Sequence, residues 1–181
     1  MKSRALVFNG FLAGVVLMLA AGCGTTEERQ RKKELSTLRI HVESDQQSDF
    51  SSAIAVHRSA PMRLNIEREP VLDENHVLVA RVVEEPGGLF AVEVKFNQKG
   101  SWILERVSVV SKGRHLAIFG HFGQARWLAA PLILGKNQSG QLIFTPDATR
   151  AEAERFVRGL NNAVRKLGNK ESWPFAAPTE K

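Results

Sequence analysis

Beyond Leu35 the apolar and polar residues mostly alternate with a period of two, a pattern that a strand can half-bury and a helix cannot. Leu38, Ile40 and Val42 alternate with Arg39, His41 and Glu43, and Met62, Leu64 and Ile66 alternate with Arg63, Asn65 and Glu67. Between them, residues 46–49 read as a polar turn and residues 53–57 as a returning strand. Residues 77–83 are almost continuously apolar, which predicts a strand covered on both faces. Gly87-Gly88 supplies a turn, after which Phe90, Val92, Val94 and Phe96 point one way while Glu93 and Lys95 point the other. Such a chain folds through antiparallel hairpins. With 43% hydrophobic and 24% charged residues among 181, it has enough apolar material for one self-supporting core. Its single cysteine excludes an internal disulfide, a multi-cysteine zinc site and an iron–sulfur cluster.

The period changes twice. Trp102, Ile103, Leu104, Val107 and Val110 fit a helix over 98–111 closed by Gly113, with Trp102 expected in the core. The β-branched Val107, Val109 and Val110 weaken it, so packing must hold it. Residues 116–119, 127–134 and 141–145 read as three further strands. A second helix follows, opened by a Thr149/Glu152 capping box, with Ala153, Phe156, Val157, Leu160, Val164 and Leu167 on one stripe and Gly168 as its stop. The fold class this predicts is α+β: a mixed or mostly antiparallel sheet with two helices packed on one face. The folded domain is expected over 36–168 and a flexible tail over 169–181, where Trp173-Pro174-Phe175 are the exception to a polar composition.

The first residues read as an address. Lys2 and Arg4 precede an apolar run from Ala5 to Ala21 that ends in Leu19-Ala20-Ala21-Gly22-Cys23. Small residues before a cysteine fit a peptidase groove, and the thiol is the acceptor for a thioether-linked lipid. The run resembles the lipobox of bacterial lipoproteins, although Ala20 stands where that family usually has Leu. The resemblance implies a signal peptide over 1–22, cleavage between Gly22 and Cys23, and lipid attachment (diacylglycerol, with palmitate-type acyl chains) at Cys23. An uncleaved membrane anchor and an ordinary secretory leader are the competing readings. Gly24 is not the aspartate that retains many such proteins at the inner membrane. The cell envelope is therefore the expected location, with the outer membrane facing the periplasm favoured if the cell is Gram-negative. Residues 23–35 form a tether whose Arg29, Arg31, Lys32 and Lys33 are interleaved with Glu27, Glu28 and Glu34. It reads either as a solvated segment or short helix, with Thr25 and Glu28 at capping-box spacing, or as a basic stretch drawn to anionic lipid.

No catalytic constellation emerges. Loss of Lys2 and Arg4 with the leader lowers the net charge from +6 to +4, and export argues against a nucleic-acid partner. His41, His57, His76, His115 and His121 show no zinc-binding spacing, so no metal is expected, and each reads as a surface or packed histidine. There is no G-x-S-x-G elbow, and the glycine pairs Gly87-Gly88 and Gly120/Gly123 lack the lysine and helix start of a phosphate cradle. Asp73-Glu74 and Glu84-Glu85 read as solvated strand edges. The expectation is a protein that is not an enzyme and has no cofactor.

The order of motifs over 61–164 carries more. Glu69-Pro70-Val71-Leu72, Ala80-Arg81-Val82, Ala91-Val92-Glu93-Val94, Gly100, Gly113-Arg114-His115-Leu116-Ala117-Ile118-Phe119 and Ala129-Ala130-Pro131-Leu132-Ile133 run in sequence, and residues 144–153 open the last helix. Together they resemble the head subdomain of the first periplasmic region of SecD, the accessory subunit of the bacterial preprotein translocase. The resemblance implies that fold, with Pro131 at a free edge or bulge. It does not bring SecD's energy coupling, because SecD's membrane helices have no counterpart here. It implies at most contact with an exported polypeptide. Two functional classes follow: a membrane-anchored lipoprotein that binds an exported protein or another envelope protein, and an exported small-ligand-binding or structural domain unrelated to translocation. For the first class Phe122, Arg126 and Trp127 are the candidate partner-binding residues, since aromatics and arginine dominate binding hot spots. The competing reading is that Phe122 and Trp127 simply cover the sheet.

Overall fold

A computed structural model of the chain describes residues 25–44 and 50–168. The segments read as leader and lipobox (with Cys23), as the 46–49 turn and as the 169–181 tail lie outside the described residues. Two compact units are distinguished, Met1–Lys33 and Glu34–Lys181. In the first, helix α1 (Thr25–Lys33) is described, and its residues 28–33 are exposed.

The second unit contains β1 (Thr37–Val42), β2 (Ser51–Val56), β3 (Met62–Glu67), β4 (Leu72–Asp73), β5 (Val77–Glu85), β6 (Leu89–Phe96), α2 (Gln98–Val110), β7 (Leu116–His121), β8 (Ala125–Ala129), β9 (Gln141–Phe144) and α3 (Arg150–Leu167). Every pairing among the described strands is antiparallel, and the α+β class is as the periodicities require. The strands are divided among three ladders: β4–β1–β7–β8, the hairpin β2–β3, and β5–β6–β9.

The four-stranded sheet is the middle layer. Leu38, Ile40, Val42, Leu116, Ile118 and Leu128 join the main core, which α3 and the β5–β6–β9 sheet complete. On the other side Ala117 and Ala130 pack with Val56, Leu64 and Ile66 of the hairpin in a second, smaller cluster. The hairpin corrects one expectation. β2 does not return along β1 but pairs with β3, Ala53 opposite Asn65. Both edges of β1 are already taken, by β7 and by β4.

β5 corrects a second. It is an edge strand, with Val77 and Ala80 buried but Leu78, Val79, Val82 and Val83 only half-buried. A run of apolar residues predicted two covered faces; α3 covers one. The outer edge is closed instead by a side chain: Asn161 accepts from Ala80 N (2.9 Å) and donates to Ala80 O (2.8 Å), imitating a neighbouring strand. β6 is the central strand, so Glu93, although it points away from the core, is only 5% exposed and is gripped by Arg81 across the ladder at 2.7 Å.

The third correction is β8, which ends at Ala129, whereas residues 127–134 were expected to be one strand. The ladder nonetheless continues past Pro131: Leu116 N donates to Pro131 O and Ile133 N to Arg114 O, both within 2.9 Å. Proline lacks the N–H that an unbroken strand needs. Helix α3 ends as its sequence predicts, at Gly168 in the left-handed region with φ 79°. Its Gly159 admits the start of β1, because a Cβ there would lie 2.9 Å from Ser36 N.

Candidate functional site

Of the residues expected to form a binding surface at the 120–127 bend, Phe122 is buried and Arg126 and Trp127 are half-buried. Phe122 N donates to Gln124 O, which folds the bend back on itself, and Phe122 is 3% exposed with its ring edge-on to Phe156 at 5.6 Å. Arg126 lies over the Phe122 ring at 5.2 Å, with Nη2 3.0 Å from Glu152 Oε2. Trp127 is half-buried, edge-on to His41 at 5.5 Å and to Phe119 at 5.3 Å. Phe122 and Arg126 tie the bend to the start of α3, and Trp127 covers the second cluster. The three residues are brought close in chain but not presented together, and their geometry corrects the expectation of an exposed hot spot.

Three of the five histidines, His41, His76 and His115, are held by local partners. His41 Nδ1–H donates to Glu67 O at 2.8 Å, and burial pulls its pKa below the ordinary value against that bond. His115 pairs with Glu43 at 2.7 Å. Burial opposes the Glu43 carboxylate, yet the hydrogen bonds from the ring and backbone of His115 outweigh it and hold the Glu43 pKa below normal. His76 lies 2.7 Å from Asp73, which caps the 74–76 turn, so Asp73-Glu74 is a built corner rather than a solvated edge; Glu74 also accepts from Leu38 N. Among the described residues no three His, Cys, Asp or Glu side chains are placed to hold a metal ion.

The open feature lies where two edge strands approach. β8 is the last strand of one sheet and β9 the last of another. Between them a groove of about 480 Å³ is lined by Ala129, Ala130 and Pro131 on one side, Ile143, Phe144 and Thr145 on the other, with His57, Glu85 and Ala91 around it. The register explains what it offers. Gly140, Leu142 and Phe144 face Phe96, Val94 and Val92, and Phe96 N donates to Gly140 O at 2.9 Å. In an antiparallel ladder alternate residues turn their main-chain groups outward, here Gln141 and Ile143. Those of Gln141 are capped: its N donates to Ser139 Oγ, and its O accepts from Asn137 Nδ2 at 2.7 Å. Ile143 has no such cap among the described residues, and its side chain is 52% exposed. The facing wall is made of alanine and proline, whose short side chains leave room for a passing backbone. Residues 141–145 read as one short strand in sequence, but Leu142-Ile143-Phe144 are apolar in a row and do not mark which of them faces outward, and nothing in sequence placed Ala130 and His57 beside Ile143.

A second groove of about 390 Å³ lies between α2 and the following connection, lined by Leu104, Ser108, Leu132, Ile133, Leu134 and Leu142 among others. α2 corrects the expectation for Trp102, which is 63% exposed. Gly100, Leu104, Val107 and Ser108 are the residues the helix buries, and Val110 is 78% exposed.

No protein-family profile matches the chain, and no curated protein is similar to it in sequence. The fold has solved counterparts. It is similar to the structure of SecDF described as a membrane component that enhances protein export, with a TM-score of 0.54 at 16% identity, over 75% of this chain and 67% of that one. It is equally similar to SecDF in a super-membrane-facing form, with a TM-score of 0.53 at 16% identity, over 76% of this chain but 21% of that one. The fold is SecD-like, as the order of motifs implied.

Proposed function

We propose that this chain is a non-catalytic lipoprotein of the bacterial cell envelope, anchored through Cys23, whose SecD-like module binds an extended segment of an exported protein in the groove beside β9. The observation that carries this reading is that Ile143, whose outward main-chain groups have no side-chain cap among the described residues, lines the same groove as Ala129, Ala130 and Pro131. An unpaired strand edge is a template for one more strand, and main-chain hydrogen bonds recognise any extended polypeptide without demanding a particular sequence. Small side chains opposite the edge let that strand in. SecDF enhances protein export, and the shared fold brings the same class of client into view for this chain. No described helix is long and apolar enough to cross a membrane; in this reading the lipid on Cys23 holds the chain at the membrane.

Ile143→Pro tests the groove, because it removes an outward N–H while leaving the bonds of Leu142 and Phe144 to β6 in place. Binding of a labelled, permanently unfolded polypeptide, followed by fluorescence anisotropy, is expected to weaken at least tenfold in Ile143→Pro and to change little in Ile143→Ser, with the circular dichroism of both unchanged. Equal binding by wild type and Ile143→Pro would refute the groove. Anchoring is tested separately: Cys23→Ser is expected to abolish incorporation of radiolabelled palmitate.

A further inference from the structure

Helix α2 has a second face that the fold does not use. At 100° per residue, Trp102, Arg106 and Val109 lie opposite Leu104 and Val107, with Lys99 and Val110 beside them. Trp102 is 63% exposed, Val109 55% and Val110 78%. Lys99 and Arg106, and Lys112 just past the helix, make no ion pair among the described residues. Glu105, the helix's one acidic residue, is held at its flank by Lys136 at 2.7 Å. The face therefore combines exposed tryptophan and valines with positive charge and carries no uncompensated acid. On the flank, Leu132 and Leu134 stand exposed at the rim of the smaller groove.

We infer that this face docks the domain onto an anionic lipid surface. Charge complementarity selects the occupant. Arg106 lies among the apolar residues rather than at a rim, so whatever covers Trp102 must meet apolar and cationic groups within the same turn of helix. A layer of phosphate headgroups over hydrocarbon does this everywhere on its surface. Indole sits at the headgroup level, valine and leucine enter the acyl boundary, and long cationic side chains reach the phosphates.

The test uses the full chain with vesicles carrying brominated acyl chains, made either of phosphatidylcholine alone or with phosphatidylglycerol added. Subtracting the emission of Trp102→Phe from that of the wild type isolates Trp102 from Trp127 and Trp173, and from any insertion of the N-terminal apolar run. The expected result is at least twofold quenching of Trp102 by the anionic vesicles, little by the neutral ones, and loss of that difference in Lys99→Glu/Arg106→Glu. Ile143→Pro is expected to leave the quenching unchanged, which separates this face from the β9 groove. Trp102 unquenched, quenched equally by both vesicles, or shielded only when another envelope protein is added would overturn the inference.

Discussion

Helices α2 and α3 begin alike and end up facing different surroundings. Asn97 accepts from Gly100 N at the start of α2, and Thr149 accepts from Glu152 N at the start of α3, so each satisfies an orphan amide with a side-chain oxygen. In α3 the apolar residues lie on one stripe, and Ala153, Phe156, Leu160 and Val164 are all at most 3% exposed. In α2 the apolar residues lie all around, so burying Leu104 and Val107 leaves Trp102, Val109 and Val110 outside. The comparison shows that apolar residues in a helix speak for its packing only when they share a side. A helix apolar on every side has one face for the core and another for something else.

Leu160→Ala should break the comparison on the α3 side, since a fully buried leucine loses its transfer energy and leaves a cavity; about 2–5 kcal/mol of stability is expected to vanish in urea unfolding. Thr149→Ala removes one hydrogen bond at the helix start and is expected to cost about 1 kcal/mol. The same corner has a pH signature. The backbone hydrogen bond from Thr149, and then the Arg126 side chain, pull the Glu152 pKa from 4.5 to about 2. A carboxylate with a depressed folded pKa stabilises the fold above its unfolded value and loses that contribution as pH falls from about 4.5 through about 2. Glu152→Gln is therefore expected to flatten the fall of the melting temperature over that range, and a carbon-detected titration of Glu152 reads the pKa directly. The smallest effect sharpens the α2 side. Trp102→Ala is expected to change stability by no more than about 0.5 kcal/mol in either direction, because little contact is lost and alanine is the better helix former. A loss as large as that of Leu160→Ala would mean that Trp102 is part of a core.

Much of the fold was legible locally. The Thr149/Glu152 box, the α3 stripe and the stop at Gly168 all appear as read, and so do the alternations that became β1, β3 and β6. Trp102 was misplaced because a helical period gives a spacing and no direction when valines occupy the opposite side. Phe122 was misplaced because residue type says what a side chain could bind, whereas the backbone bend at Gly120–Gln124 decided that it faces inward. The β9 groove was legible only as a strand over 141–145: the outward turn of Ile143 follows from its pairing with β6, and the opposite wall comes from Ala129–Pro131 and His57, which only the pairing of distant strands brings near.

The sequence alone determined both helices and the strands β1, β3 and β6, because capping, turn residues and apolar period act over a few neighbouring residues, though it ran β8 on past Ala129. It also determined the α+β class and, through the order of its motifs, the SecD-like fold. The tertiary structure decided which apolar faces are covered and which edges stay open: β1 filled on both sides, β5 closed by Asn161, β9 uncapped at Ile143, and α2 half outside. These depend on how much surface the elements of one chain can cover in three dimensions, a quantity that long-range pairing sets and that no short stretch of residues contains.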